Sequence, residues 1–203
     1  MRFRNWPGRS LLVCLTVSTL LAACGQVGRG AGDSDAQPPV RTPSVGTPSA
    51  AAVGGLPTVV PGRPAKAVGL SLAAGSAFIG YYIELLNYSY ATGDTVPLLA
   101  ESDKGCVGCK GIAEYTRKVN VKNGSLAGDY ADHLVAVKDI YRGQSGRLGG
   151  SAAIESGTYV ERSSPEASPV PQESATATMK FTLSPSGGVW VMYEMEIEED
   201  ETG

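Results

Sequence analysis

Histidine, tryptophan and cysteine are scarce in this 203-residue chain, which holds one His, two Trp and four Cys. A structural zinc site needs four ligands, and His133 with the paired cysteines Cys106 and Cys109 falls short of that number. The sequence also lacks a glycine-rich phosphate loop and a serine nucleophile elbow. We therefore expect no metal, no cofactor and no catalytic residue.

An excess of basic residues is also missing. The net charge is −3, and removal of Arg2, Arg4 and Arg9 with a leader leaves 14 basic residues against 20 acidic ones. A nucleic-acid-binding domain carries a basic stripe, and electrostatic docking on anionic lipid needs a polybasic segment. The sequence therefore argues against nucleic acid as a partner and against purely electrostatic membrane binding.

The first 24 residues have the features of an export signal. Arg2, Arg4 and Arg9 precede a short apolar run at 11–21, and small residues follow it. The run is too short to span a bilayer. Leu21-Ala22-Ala23-Cys24 resembles the lipobox of bacterial lipoproteins, which implies a signal peptide at 1–23 and a lipid on Cys24. The alternative is an ordinary secretory signal with a chance cysteine. We expect a lipid-anchored protein on the extracytoplasmic face of the cell membrane.

Residues 24–66 are predicted to form a disordered tether. Gln26 to Lys66 contains no aromatic residue and seven of the thirteen prolines. Such a stretch cannot bury enough apolar surface to offset its ordering entropy. The rest of the chain divides into one folded domain at 67–198 and an acidic tail at 199–203. A domain of this size can bury one core.

The first folded element is predicted to be an aromatic-rich helix over Leu70–Thr92. Its apolar residues recur at helical spacing, Ser71 or Ser76 caps its start, and Gly93 ends it in a left-handed conformation. The aromatic side chains either fill the core or line a ligand pocket, and core packing is the commoner outcome. The candidate pocket-lining residues are Phe78, Tyr81, Tyr82, Tyr88 and Trp190.

Cys106 and Cys109 form a Cys-Val-Gly-Cys pair that opens a second helix, predicted over Lys110–Val121. Outside the membrane such pairs tend to be oxidised. A structural disulfide is the first interpretation. A redox-active pair is the second, because a helix N-terminus stabilises a thiolate, although a thioredoxin-like site would follow a strand. Asp94 is expected to cap a short helix at Thr95–Leu99.

After Gly124 the apolar pattern changes to the alternation of strands. We predict a strand at 131–142 that is buried on both faces, a second at 151–161, and a hairpin whose strands flank the turn at Pro185–Gly188. A glycine-rich loop at 142–150 and a polar loop at 163–173 connect the earlier strands. The glutamates of the last strand, Glu194 to Glu198, are expected to form a solvated face.

Helices followed by a meander of strands indicate an α+β fold, with the N-terminal helices packed on a curved antiparallel sheet. The chain resembles a family of actinobacterial lipoproteins of unknown function over about residues 66–198. The resemblance is carried by Phe78, Tyr82, Asn87-Tyr88, Tyr90-Ala91-Thr92-Gly93-Asp94, Leu98 and Cys106-Val107-Gly108-Cys109. It implies a nuclear-transport-factor-like (cystatin-like cone) domain and brings no catalytic residues.

Two functions follow from these observations. The first is a non-catalytic binding module for a protein or small ligand, held at the membrane by lipid. The second is an enzyme, using either His133 with a nearby aspartate for acid–base chemistry or Cys106 and Cys109 for thiol–disulfide exchange. A lone histidine beside acidic residues is usually solvated, and perturbed groups mark active sites only statistically. The non-catalytic module is the preferred hypothesis.

Overall fold

A computed structural model describes residues 56–200 of the chain. The predicted signal peptide, the lipid site Cys24, most of the tether and the tail after Asp200 lie outside these residues. The described residues belong to one compact unit. The fold is α+β, with three α-helices and antiparallel sheets in the described residues, as the sequence predicted.

The long helix α1 runs over Leu72–Thr92. The Ser71 side chain accepts a hydrogen bond from the Ala74 backbone N–H at 3.0 Å, so Ser71 is the N-cap. Gly93 ends the helix at φ 75°, in the left-handed region that glycine occupies without strain. The predicted helix is confirmed, with its start two residues later than Leu70.

Two shorter helices follow, α2 over Val96–Ala100 and α3 over Val107–Lys118. The N-cap of α2 is Thr95 and not the expected Asp94, although Oδ1 of Asp94 accepts a hydrogen bond from the Val96 N–H at 3.0 Å. The prediction that α3 begins at Lys110 is wrong, because Cys106 is its N-cap and Sγ of Cys106 accepts from the Cys109 N–H at 3.0 Å. The cysteine pair is therefore part of the first turn.

The main sheet has four antiparallel strands in the order β2-β3-β6-β7. They are β2 over His133–Arg142, β3 over Leu148–Ser156, β6 over Ala175–Ser186 and β7 over Val189–Glu199. The predicted hairpin is confirmed, with Gly187 and Gly188 between β6 and β7. The prediction that residues 131–142 are buried on both faces is wrong, since β2 is an edge strand and Val135 is 58% exposed.

A second, three-stranded sheet was not predicted. It consists of β1 over Leu126–Gly128, β4 over Tyr159–Glu161 and β5 over Val170–Gln172, in the order β1-β4-β5. The stretch predicted as one strand at 151–161 is split at Gly157, where a Cβ would lie 2.2 Å from Oδ2 of Asp129. The loop predicted at 163–173 contains β5.

The core lies between α1 and one face of the main sheet. Gly75 of α1 packs so closely on the sheet that a Cβ would meet Leu148 Cδ1 at 2.5 Å and Ile140 Cδ1 at 3.2 Å. The largest fully buried side chains are Trp190, Tyr82, Phe78, Ile79, Leu85, Leu86, Leu98, Ile112, Leu148, Met179, Leu183 and Met192. Burial of these apolar groups is the main stabilising contribution.

The contacts of Arg63 show that the folded domain begins before the predicted boundary at Lys66. Its guanidinium forms an ion pair with Glu101, donates to the Trp190 carbonyl at 3.0 Å, and lies 4.8 Å from the ring centre of Phe78. A short 3-10 helix follows at Ala65–Ala67, with Ala67 fully buried. The tether was predicted to extend to Lys66, but residues from about Arg63 onward are packed on the domain.

Within residues 56–200, no helix has both the length and the apolar content to cross a bilayer.

Candidate binding recess

Seven residues from six parts of the fold surround a narrow recess, which we call the tyrosine recess. Its walls come from α1, α3, β1, the loop before β2, the end of β3, and β4. The space open to the centre of a water molecule is about 10 Å³. The lining residues are Tyr90, Tyr115, Leu126, Tyr130, Asp132, Ser156 and Tyr159. A volume of this size holds about one water molecule.

Asp132 is the only carboxylate among the described residues of this lining, and its backbone is fixed by Asn87 of α1. The Asn87 Nδ2 donates to the Asp132 carbonyl at 2.9 Å, and Oδ1 of Asn87 accepts from the Asp132 N–H at 2.9 Å. These two bonds use both ends of the side-chain amide. They hold the loop before β2 against the helix, and so hold the Asp132 side chain in the recess.

One oxygen of the Asp132 carboxylate lacks a hydrogen-bond partner. Asp132 is 7% exposed, and its Oδ2 is buried without a partner among the described residues. Burial raises the pKa of Asp132 to about 6, and the neighbouring His133 partly opposes the rise. Desolvation disfavours the charged carboxylate, which explains the direction of the change.

Three of the lining tyrosines, Tyr90, Tyr115 and Tyr130, have a raised pKa. Burial, followed by the charge of Asp132, raises the pKa of Tyr90 well above its ordinary value. Burial and the nearby Glu161 raise the pKa of Tyr115, and burial alone raises that of Tyr130. The recess therefore presents phenol groups, aromatic rings and one carboxylate. This combination suits a hydrogen-bond donor or a cation better than an anion.

The aromatic residues that the sequence suggested as pocket lining lie in the core. Phe78, Tyr82 and Trp190 are fully buried, and Tyr81 and Tyr88 are 6% and 7% exposed. Their polar atoms have partners: Tyr82 Oη with Ser102 Oγ at 2.8 Å, Tyr88 Oη with Asp94 at 3.1 Å, and Trp190 Nε1 with the Ser71 carbonyl at 3.0 Å. None of these five residues lines the tyrosine recess.

His133 lies at the surface beside Asp129. Its Nε2 is 3.3 Å from Asp129 Oδ1, and the two side chains are 49% and 60% exposed. Neither residue lines the tyrosine recess. An exposed pair of this kind has little free energy of interaction.

The predicted disulfide between Cys106 and Cys109 is present, and both residues are fully buried. A thiol–disulfide exchange begins with attack by an incoming thiolate on one sulfur. With both cysteines enclosed, the folded domain offers no open approach to that sulfur. Across residues 56–200, no three His, Cys, Asp or Glu side chains are grouped so that they could hold a metal ion.

A broader groove lies across the four strands of the main sheet. It has a volume of about 340 Å³ and is bordered by Tyr141, Lys180, Thr182, Glu194 and Glu196. Its lysine is already paired with Glu198 at 2.6 Å, and Glu194 is bonded to the N–H groups of α3. Because none of the buried polar atoms without a partner in the described residues belongs to this groove, the tyrosine recess is the stronger candidate.

Sequence reasoning missed Asp132, Tyr115, Tyr130 and Tyr159. They come from separate segments, and only the fold brings them together. The one signal was Asn87, a polar residue between apolar residues of α1. A buried amide requires hydrogen-bond partners, but the sequence did not reveal that the partner lies 45 residues away.

Comparison with known proteins gives a family and two distant structural likenesses. Residues 58–196 match the model of DUF6318, a family of unknown function. The intermembrane space region of the chloroplast protein ARC6 is similar over 64% of this chain and 98% of its own, at 12% identity and a TM-score of 0.45. Aln2 from a Streptomyces species is similar over 61% of this chain and 89% of its own, at 14% identity and a TM-score of 0.39. No curated protein matches the chain.

These scores are too low to assign a fold family, so the nuclear-transport-factor-like cone remains a prediction.

Proposed function

The chain belongs to the DUF6318 family of unknown function, and we propose that it is a lipid-anchored, extracytoplasmic binding module. Its folded domain binds a small ligand, or a small group of a larger ligand, in the tyrosine recess. The binding is non-catalytic and uses no cofactor. The partners are the membrane, through the lipid on Cys24, and the ligand.

The observation that carries the proposal is the buried, unpartnered Oδ2 of Asp132. A buried polar atom without a partner costs about 1–3 kcal/mol, and a charged one costs more. A ligand that donates a hydrogen bond to this oxygen would remove that cost on binding. The two bonds from Asn87 position the carboxylate before the ligand arrives, which lowers the entropy lost on binding.

The chemistry of the lining supports binding rather than catalysis. The pKa values of Tyr90, Tyr115 and Tyr130 are raised from an ordinary value that is already well above neutral pH, so these phenols stay protonated there. A general acid–base reaction works best with groups whose pKa lies near the operating pH. Asp132 is the one group among those just named whose pKa lies near neutral pH. His133 is not among the lining residues, so Asp132 has no second acid–base group from it in the recess.

The anchor rests on the sequence of the leader. Leu21-Ala22-Ala23-Cys24 follows a basic segment and a short apolar run. A diacylglyceryl group on Cys24 would add two acyl chains, and each buried CH₂ contributes about 0.8 kcal/mol. Two chains hold a protein stably, so the anchor needs no basic surface on the domain.

Native mass spectrometry of the lipoprotein purified from its own host tests the binding. We expect a mass above that of the chain, the lipid and one disulfide. The excess mass should disappear in Asp132→Asn and persist in Asp129→Asn, a matched change in an exposed carboxylate of the same loop. A bare chain in the wild-type protein, or an excess mass that Asp132→Asn retains, would overturn the proposal.

Membrane fractionation tests the anchor separately. We expect the wild-type protein to remain with membranes until detergent is added and Cys24→Ala to be released without it. Membrane retention of the Cys24→Ala protein to the wild-type extent would contradict lipidation at this residue.

A further inference from the structure

We infer that the tyrosine recess receives a primary ammonium group, as found on a lysine side chain, a peptide N-terminus or an aliphatic amine. The inference rests on the proposed function of the recess as a binding site and names the chemical class of its ligand. Three properties of the recess support it: its charge, its size and the acceptors in its lining.

The charge of the recess is negative. Asp132 lies in the lining. Glu161, in β4 with Tyr159, is close enough to raise the pKa of Tyr115. Among residues 56–200, no lysine or arginine belongs to the lining. The other polar residues of the described lining are uncharged: Tyr90 from α1, Tyr115 from α3, Tyr130 from the loop, Ser156 from β3 and Tyr159 from β4. His133, the nearest basic residue in sequence, is already beside Asp129. A cation is therefore favoured over an anion.

The size of the recess selects among cations. Space for about one water molecule is available. The head of a primary ammonium is close to a water molecule in size. A trimethylammonium or guanidinium group is several times larger and would have to displace the tyrosine walls. Interiors of proteins are close-packed, and forcing extra volume into them is unfavourable.

The lining also supplies what an ammonium group requires. An ammonium group has three N–H donors and no acceptor. The unpartnered Oδ2 of Asp132 is one acceptor, and Ser156, a residue with a hydroxyl group, is part of the same lining. Tyrosine rings attract cations through their π faces, most strongly where water is excluded. The alkyl part of the bound ligand would extend out of the open side of the recess.

The test is a titration of the isotope-labelled, full-length mature lipoprotein in detergent micelles, followed by amide chemical shifts. The probes are n-butylammonium, tetramethylammonium and n-butanol. We expect saturable shifts at residues 130–132 with n-butylammonium, and at least tenfold weaker binding of the other two probes. Equal binding of n-butanol would show that charge is not recognised and would overturn the inference.

Variants and pH complete the test. Asp132→Asn should weaken n-butylammonium binding at least tenfold while its thermal unfolding transition is kept, and Asp129→Asn should bind as the wild type does. Binding should also weaken as the pH falls below about 6, where Asp132 takes up a proton. Retained binding in Asp132→Asn, or binding independent of pH between 5 and 7.5, would contradict an ammonium–carboxylate contact.

The inference and the proposed function can fail separately. A natural ligand seen by native mass spectrometry, combined with no binding of n-butylammonium, would overturn the ammonium inference and leave the binding module standing. Absence of a natural ligand together with no amine binding would overturn both the proposed binding function and the ammonium inference.

Discussion

Gly108 in the first turn of α3 touches the backbone of Met195 in β7. A Cβ added to Gly108 would lie 1.8 Å from the Met195 carbonyl oxygen and 2.8 Å from Oε1 of Glu194. Glycine at this position is therefore required by the close approach of the helix to the edge strand. The disulfide that joins Cys106 and Cys109 encloses this same turn.

We predict that Gly108→Ala destabilises the domain by about 3 kcal/mol or more, because the added methyl group forces α3 away from β7. The obstacle is backbone, which cannot move aside as the end of a long side chain can. Equilibrium denaturation with urea measures the change in the free energy of unfolding.

Gly111 provides a matched control in the same helix. A Cβ there meets no atom within 4 Å. Gly111→Ala should therefore stabilise the domain by about 0.5–1 kcal/mol, through the higher helix propensity of alanine. Similar effects of the two substitutions would show that α3 does not pack on β7 as described.

Glu194 supplies the acceptor for the N-terminus of α3. Its Oε1 accepts from the Gly108 N–H at 2.7 Å and its Oε2 from the Val107 N–H at 3.1 Å. The prediction that all glutamates of the last strand are solvated is wrong for Glu194. Glu194→Gln removes the charge and one acceptor, so we expect a loss of about 1 kcal/mol in the free energy of unfolding.

Glu196→Gln is the control for this change, because Glu196 is exposed on the same strand. Its effect should stay within about 0.5 kcal/mol. Thermal or chemical denaturation compares the two variants, and an equal loss in both would contradict a specific cap by Glu194.

Local patterns predicted those parts of the fold whose causes are local. The N-cap Ser71, the left-handed Gly93 and the turn at Gly187-Gly188 act within a few residues of the elements they bound. The alternation of β7 was also sufficient to identify the strand. The failures have non-local causes: β2 is exposed because it lies at an edge, and Gly157 breaks a strand because Asp129 approaches it.

The candidate site could not be predicted from the sequence, because its residues are brought together by non-local contacts. Tyr90, Tyr115, Tyr130 and Tyr159 look like ordinary core or surface tyrosines until the fold gathers them around Asp132. The Asn87–Asp132 clamp joins a helix to a loop across 45 residues. Residue type offered the aromatics of α1 as the alternative pocket lining, and they fill the core, which was the first expectation.

We predict that Arg63 contributes to the stability of the domain, which therefore begins before Lys66. Arg63→Ala removes the ion-pair partner of the half-buried Glu101, which keeps only the hydrogen bond from the Tyr81 hydroxyl, and it removes packing on Phe78 and Tyr81. We expect a loss of about 2 kcal/mol in the free energy of unfolding. Lys66→Ala, a change in an exposed residue, should have little effect.

Deletions test the same boundary. Removal of residues 27–55 from the mature chain should leave the unfolding temperature unchanged, because none of the contacts of Arg63 is touched. Removal of 27–66 should lower the unfolding temperature at least as much as Arg63→Ala does. Equal unfolding temperatures for the two deletions would place the start of the domain after Lys66.

Asp132 makes the stability of the ligand-free domain depend on pH. Its pKa is about 6 in the folded protein against an ordinary value of 3.8, so the folded state binds a proton more tightly than the unfolded state. The free energy of unfolding therefore falls as the pH rises from about 4 to about 6, by about 3 kcal/mol in total.

Asp132→Asn cannot lose a proton, so its stability relative to the wild type should rise over this range and stay constant above it. Asp129→Asn, in an exposed carboxylate, should show no such gain. Urea denaturation at pH 4 and pH 7 measures the difference, and an equal effect of Asp132→Asn at both values would mean that the carboxylate is not desolvated in the recess.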